Sequence, residues 1–111
     1  MIDVKIEMFL SRDGQSPFED WFEGLDTQAA AKVATAVTRM GQENMSEAKG
    51  VGGGLLEYRI HYGPRYRVYF GKDGNKIIIL VGGGTKRHQS KDIEAAKTRW
   101  REYKQRKKDG E

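Results

Sequence analysis

Cysteine is absent from this 111-residue sequence, and proline occurs only twice. Without a thiol there is no disulfide framework, no thiolate metal site and no cysteine nucleophile. The same lack fits a reducing compartment. No apolar run is long enough to span a bilayer, and the opening MIDVKIEMFLSRDG, with Asp3 and Glu7, does not read as a secretory leader. The expectation is a soluble, cytoplasmic protein without membrane association. The length suits one domain with a modest core. That domain is expected over residues 1–104, followed by a polar tail that frays over 105–111.

Acidic residues thin out in the second half. Residues 1–56 carry 5 Lys/Arg against 9 Asp/Glu, whereas residues 57–111 carry 15 against 7. The formal charge of +4 thus combines a first half at −4 with a second at +8. Such polarity points to a polyanionic or acidic partner for the second half. The plain alternative is a solvated surface with a basic tail.

VKIEMFL reads as a strand. SPFEDWFEGL reads as a helix start, with Ser16 as cap, Pro17 at the first helical position and Glu19 completing a capping box. Phe18, Trp21, Phe22 and Leu25 form one apolar stripe. DTQAAAKVATAVTRMGQEN is a second helix capped by Asp26 or Thr27, with Ala30, Val33, Ala34, Val37 and Met40 on one side. The short junction makes the two an antiparallel hairpin. MSEAKGVGGG reads as a flexible connector. Its glycines supply turn chemistry and lack the Gly-Lys-Ser/Thr ending of a phosphate-binding loop.

LLEYRIHYGPRYRVYFGKDGNKIIILVGGG then forms a meander of three strands, turning at Gly63-Pro64 and at Lys72–Asn75. IIILV lacks alternation, which predicts a central strand covered on both faces. QSKDIEAAKTRWREYKQRKK is a last helix, capped by Ser90, with a seam of Ile93, Ala96, Trp100 and Tyr103. The order predicts an α+β fold: an N-terminal strand and helical hairpin packed on a mostly antiparallel four-stranded sheet, with a C-terminal helix. The hairpin covers one sheet face, and the other is expected to stay partly open.

EYRIHYGPRYRVYF, residues 57–70, alternates strictly. Tyr58, Ile60, Tyr62, Tyr66, Val68 and Phe70 point one way; Arg59, His61, Arg65 and Arg67 point the other. Like charges opposed across an antiparallel pair are destabilising, and an anionic ligand would relieve them. Arginine matches phosphate oxygens bidentately. The loop carrying Lys86, Arg87 and His88 should hang over one end of this surface, and Tyr69, on the arginine side, offers a ring to stack on a base. Each residue also has a bland reading. Arg59 and Arg67 suit a solvated strand face, His61 an inert surface position, Arg65 a turn, and Lys86 to His88 an ordinary loop. His88 and Asp92 share a helix edge, but two ligands without a third do not make a metal site.

The runs LLEYRIHYGPRYRVYF and IIILVGGGTKRHQSKDIEAAK resemble the RelE/ParE toxin superfamily, and within it the branch described as addiction-module killer proteins, related to HigB-type toxins. The resemblance falls on Arg59, Ile60, Gly63 to Phe70, Gly83 to Lys86, Gln89 and Asp92-Ile93. The helical hairpin and the Lys49-Gly-Val-Gly connector fit as well, so it covers nearly the whole chain. Two positions depart from the branch: Arg65 stands where Gly is usual, and Thr85 where Asp is usual. The second departure removes a candidate proton acceptor or arginine clamp.

The resemblance implies a RelE-like fold and the toxin of a type II toxin–antitoxin system. It implies an endoribonuclease that needs no metal or cofactor and cleaves mRNA on the ribosome to inhibit translation. Its partners would be mRNA, the ribosome and a cognate antitoxin, a small helix-turn-helix protein encoded nearby. By that resemblance Arg67 binds the scissile phosphate, Arg59 is the basic residue one strand back, and Lys86 is the loop cation. Lys49, Arg65, Tyr69, Arg87 and His88 are the candidate substrate-binding residues. Chemistry adds His61 as the proton acceptor, since neighbouring arginines favour its neutral form. Two other readings share the fold: a ParE-like toxin that poisons gyrase by binding, and an RNA-binding or co-repressor module. A homodimer is compatible with all three.

Overall fold

The computed structural model describes residues 4–110. In chain order the elements are β1 (Lys5–Met8), α1 (Pro17–Glu23), α2 (Thr27–Gly41), β2 (Ala48–Gly52), β3 (Leu55–Ile60), β4 (Tyr66–Asp73), β5 (Ile77–Thr85), a 3-10 turn (Lys86–His88) and α3 (Gln89–Lys108). Side-chain caps start the first two helices. Ser16 Oγ accepts the Glu19 N–H at 3.1 Å, and Asp26 Oδ1 accepts the Ala29 N–H at 2.9 Å. Asp26 is therefore the cap of α2, and each such bond satisfies a donor that the helix cannot, typically worth ~1 kcal/mol. The buried stripe of α2 is Ala29, Val33, Ala36 and Met40, rotated from the expected one, so that Ala34 is exposed.

The sheet has five strands in the order β1-β5-β4-β3-β2. Three neighbouring pairs are antiparallel, while β1 runs parallel to β5. The α+β architecture is as expected, but the sheet has one strand more than the four predicted. AKGVG, expected to be connector, pairs antiparallel with β3, with Lys49 opposite Glu57. The reversal uses Gly52, Gly53 and Gly54 at φ of 101°, 65° and 82°, a region where a Cβ is unfavourable.

One face of the sheet lies under α1 and α2. Phe18, Val33 and Met40 pack there with Tyr58, Ile60, Tyr66, Val68, Phe70, Ile78 and Leu80. The other face is not open along its length. The final helix α3 crosses it, and Ala96 and Trp100 pack with Leu55, Tyr69, Ile79 and Val81. Glycine makes this close cover feasible. An added Cβ at Gly71 would stand 2.5 Å from the Trp100 ring, and one at Gly83 would stand 2.2 Å from the Trp21 ring on the opposite side. A bulge in the β4–β5 register at Tyr69/Phe70 leaves Val81 in the α3 cluster while Arg99 crosses Gly82.

The start and end of α3 also differ from expectation. The helix begins at Gln89, ahead of Ser90, and continues to Lys108 instead of fraying after Lys104. Arg106 anchors that last turn. It donates to the Leu10 carbonyl at 2.6 Å and to Glu102 at 2.5 Å, and it lies 5.0 Å from the Phe9 ring centroid. Among the described residues, no helix is long and apolar enough to cross a membrane.

Gly83→Ala should lose about 1–3 kcal/mol of unfolding free energy through overpacking against Trp21, measured by urea denaturation; an unchanged midpoint would mean the indole gives way freely. A second expectation concerns pH. The Tyr103 hydroxyl donates to Asp73 at 2.6 Å and the Lys107 ammonium lies 3.1 Å from the same oxygen. Together, Tyr103 foremost, they hold the carboxyl below its ordinary 3.8. A carboxyl lowered on folding stabilises the protein above its unfolded pKa, and that stability is lost as pH falls through the folded value. Tyr103→Phe should therefore be less stable than wild type at neutral pH, with the gap closing below pH 3.8. A gap that is constant through the acid range in pH-stepped unfolding would refute the link.

Candidate functional site

Strand register builds the site. Arg59 lies directly opposite Arg67, and Glu57 opposite Tyr69. Alternation puts both rows on the face that α3 crosses, so position along the strand decides exposure. Glu57 and Tyr69 are 0% exposed and Arg67 is 7% exposed. Arg59 is half-buried, whereas His61, Arg65 and Lys86 are exposed. Tyr69 is thus enclosed beneath α3 and cannot stack on a base. Burial, followed by the charges of Glu57 and Asp92, keeps its phenol well above the ordinary range and protonated.

The buried carboxylate of Glu57 organises this end of the sheet. Its Oε2 accepts the Gln89 side-chain N–H at 2.8 Å and lies 3.4 Å from Arg67 Nε, an ion pair without good hydrogen-bond geometry. Arg67 Nη1 donates to the Arg65 carbonyl at 3.0 Å. The same carbonyl accepts the Lys86 backbone N–H at 3.1 Å, and the Pro64 carbonyl accepts it at 3.3 Å. The β3–β4 turn and the 3-10 turn are therefore clasped together. That clasp uses Arg65 at φ 62°. The left-handed region costs a residue with a Cβ roughly 1–2 kcal/mol, a cost that glycine would not carry at this position.

Arg59, His61, Arg65, Arg67 and Lys86, with Ile60 and Tyr66, line a concavity of about 140 Å³. Among the described residues the lining includes no carboxylate, and Arg59 Nε is buried without a hydrogen-bond partner. His61 Nε2 meets Glu47 Oε2 at 2.5 Å, a carboxylate partner absent from the sequence reading. Arg59 and His61 also border a groove of about 290 Å³ toward Lys32 and Arg39 on α2. Arg87 and His88 line a neighbouring depression of about 220 Å³ that shares Lys86. Lys49 is exposed on the edge strand β2, outside all three hollows.

The structure therefore gathers Arg59, His61, Arg67, Lys86 and Arg65 around one hollow, with Arg87 and His88 beside it and Lys49 and Tyr69 apart. Several cations converging on a small void, Arg67 among them held by Glu57 and the Arg65 carbonyl, suit a phosphate-sized anion. Sequence reasoning missed Glu57, which shares the alternation of Arg59 on a face expected to stay partly open and is instead fully buried. Asp92, placed beside His88 in the sequence reading, packs against the sheet, which that reading did not foresee. The Asp92 carboxylate packs where a Cβ on Gly84 would sit, 1.9 Å from Oδ2, and Gly84 pairs with Arg67. Burial raises the Asp92 pKa, against the opposing charges of His88 and Arg99.

Residues 20–101 match the family described as phage derived protein Gp49-like (DUF891). The chain belongs to that family. Gp49-like proteins are in general RelE/HigB-like toxins, which ties the chain to toxin–antitoxin systems and implies an antitoxin partner in general. An uncharacterised protein of Haemophilus influenzae (strain ATCC 51907 / DSM 11121 / KW20 / Rd) is 37% identical over 81 residues, covering 72% of this chain and 82% of the relative. The matched span of the Gp49-like family includes every sequence-predicted site residue from Lys49 to His88.

Arg65→Gly tests the division of labour in the turn. Thermal unfolding should show stability unchanged or raised by up to ~1 kcal/mol, since the left-handed penalty disappears. Affinity for a single-stranded RNA oligonucleotide should fall in the same protein. A destabilised variant would mean that the side chain, and not only its carbonyl, holds the clasp.

Proposed function

We propose that this chain is the toxin of a type II toxin–antitoxin pair, of the addiction-module killer branch, and that it acts as an endoribonuclease. Its substrate is mRNA, cut on the ribosome without a metal or cofactor, and its cognate antitoxin is a small helix-turn-helix protein. The observation that carries this reading is the convergence of Arg59, Arg67 and Lys86 on one phosphate-sized hollow. Membership of a toxin family supports it.

The chemistry follows from what RNA cleavage needs. The ribose 2′-oxygen attacks the adjacent phosphorus, and the bond to the 5′-oxygen breaks. Products are a 2′,3′-cyclic phosphate and a 5′-hydroxyl, the leaving oxygen taking a proton. Holding the attacking oxygen in line supplies up to roughly 7–11 kcal/mol in well-oriented systems. Arg67, Arg59 and Lys86 stabilise charge growing on the phosphoryl oxygens, and they are fixed before the reaction starts. His61, with Glu47 at Nε2, leaves Nδ1 to accept the 2′-hydroxyl proton. Substrate contacts extend to Arg65, Arg87 and His88. The gyrase-binding reading does not call for a cation-lined hollow of this size; an RNA-binding or co-repressor module could use one, and cleavage separates it from the nuclease.

Induced expression should arrest growth and give truncated messages in primer extension. Arg59→Ala should slow cleavage by about 10²–10³-fold, the usual effect of removing one such donor. Arg67→Ala should be at least as severe, but it strands the Glu57 charge, so its stability is measured alongside. His61→Ala with undiminished single-turnover cleavage would make that residue a bystander. Intact messages with a DNA-damage response would instead indicate gyrase poisoning, and salt-sensitive RNA binding without cleavage would indicate a binding module.

A further inference from the structure

A carboxylate with no exposed surface is costly unless paired, and Glu57 is incompletely satisfied. Oε2 serves both Gln89 and Arg67, while Oε1 makes no hydrogen bond of full geometry among the described residues, although the hydroxyl of Tyr69, the residue opposite, also bears on the carboxylate. An apolar pair of similar volume would commonly be as stable as this ion pair, or more so. What the carboxylate adds is direction. With Arg67 Nε turned toward Glu57 and Nη1 bonded to the Arg65 carbonyl, Nη2 is the nitrogen left for a ligand in the hollow. Gln89 is the first residue of α3 and directly follows the turn that carries Lys86. One oxygen of Glu57 therefore reaches both the strand arginine and the element behind the loop cation.

We propose that Glu57 is a positioning residue: its buried carboxylate sets the orientation of the Arg67 guanidinium and, through Gln89, the separation of Arg67 from Lys86. The proposal rests on the reading of Arg59, Arg67 and Lys86 as a phosphodiester site. It assigns Glu57 no contact with the reacting atoms. Glu57 acts through Arg67, so its effect should disappear when Arg67 can no longer be aimed.

The test uses the full chain and three substitutions: Glu57→Gln, Gln89→Ala and Arg67→Lys. Two readouts are taken, the rate of mRNA cleavage in a purified translation mixture and the Arg67 Nε–H resonance in ¹⁵N NMR. Glu57→Gln should lower kcat by about 10–100-fold, the scale of small misplacements at a reacting centre, with KM little changed. It should also shift the Arg67 resonance. Gln89→Ala should act in the same direction more weakly, and it carries the test if Glu57→Gln does not fold. In the Arg67→Lys background, Glu57→Gln should cost less than about twofold, since residues acting as one unit are non-additive. An equal cost in both backgrounds, or an unmoved resonance with an unchanged rate, overturns the proposal. If wild type cuts no RNA, the nuclease reading fails alone, and the resonance still decides whether Glu57 orients Arg67.

Discussion

The ion pair between Glu57 and Arg67 is the constraint around which this end of the molecule is arranged. Dehydrating each charge costs several kcal/mol, and the mutual attraction offsets that only with supporting contacts. Those contacts come from three places: Gln89 at the head of α3, the Arg65 carbonyl in the β3–β4 turn, and the strand register itself. Two arginines opposed across a hairpin would repel. A carboxylate one row along offsets the charge of Arg67, while Arg59 has no carboxylate partner among the described residues and its Nε, like that of Arg67, makes no hydrogen bond. The hollow is positive because Arg59, Arg65 and Lys86 line it together with Arg67, and no carboxylate is among the described lining residues.

Where the charged face ends is decided by glycines. Gly71 lets Trp100 lie on β4, while Gly82 and Gly84 admit Arg99 and Asp92 over β5. Burial lowers the Arg99 pKa and raises that of Asp92, as expected of charges partly desolvated against a sheet. The Arg99 guanidinium donates to the Val81 carbonyl at 2.9 Å, which recovers part of that loss. With α3 so close, the margin near the β3–β4 turn is where this face of β3 and β4 stays accessible among the described residues, and Arg59, Arg65 and Lys86 lie there.

Much of this was readable from residue order. Ser16 and Pro17 announced α1, the seam of Ile93, Ala96, Trp100 and Tyr103 announced α3, and the alternation from Tyr58 to Phe70 gave the correct buried face. What failed did so for identifiable reasons. AKGVG has too little side chain to signal a strand, and its pairing is supplied by β3. The α3 seam was recognised without a surface assigned to it, so the arginine face was left open on paper. Arg67 and Tyr69 were consequently expected in solvent, and Glu57 was indistinguishable from a solvated strand residue. Burial of a charge is a tertiary fact; alternation reports which side, never how deep.

The parallel pairing of β1 with β5 carries a consequence for how the chain is made. Lys5 finds its partner at Ile77, so the edge cannot close before β5 has left the ribosome. By contrast, the β2–β3–β4 meander uses neighbours and can zip early. The 3-10 turn carrying Lys86 follows β5 directly. Completion of the cationic hollow and closure of the sheet edge therefore both wait on the same stretch of chain, and neither precedes the synthesis of β5.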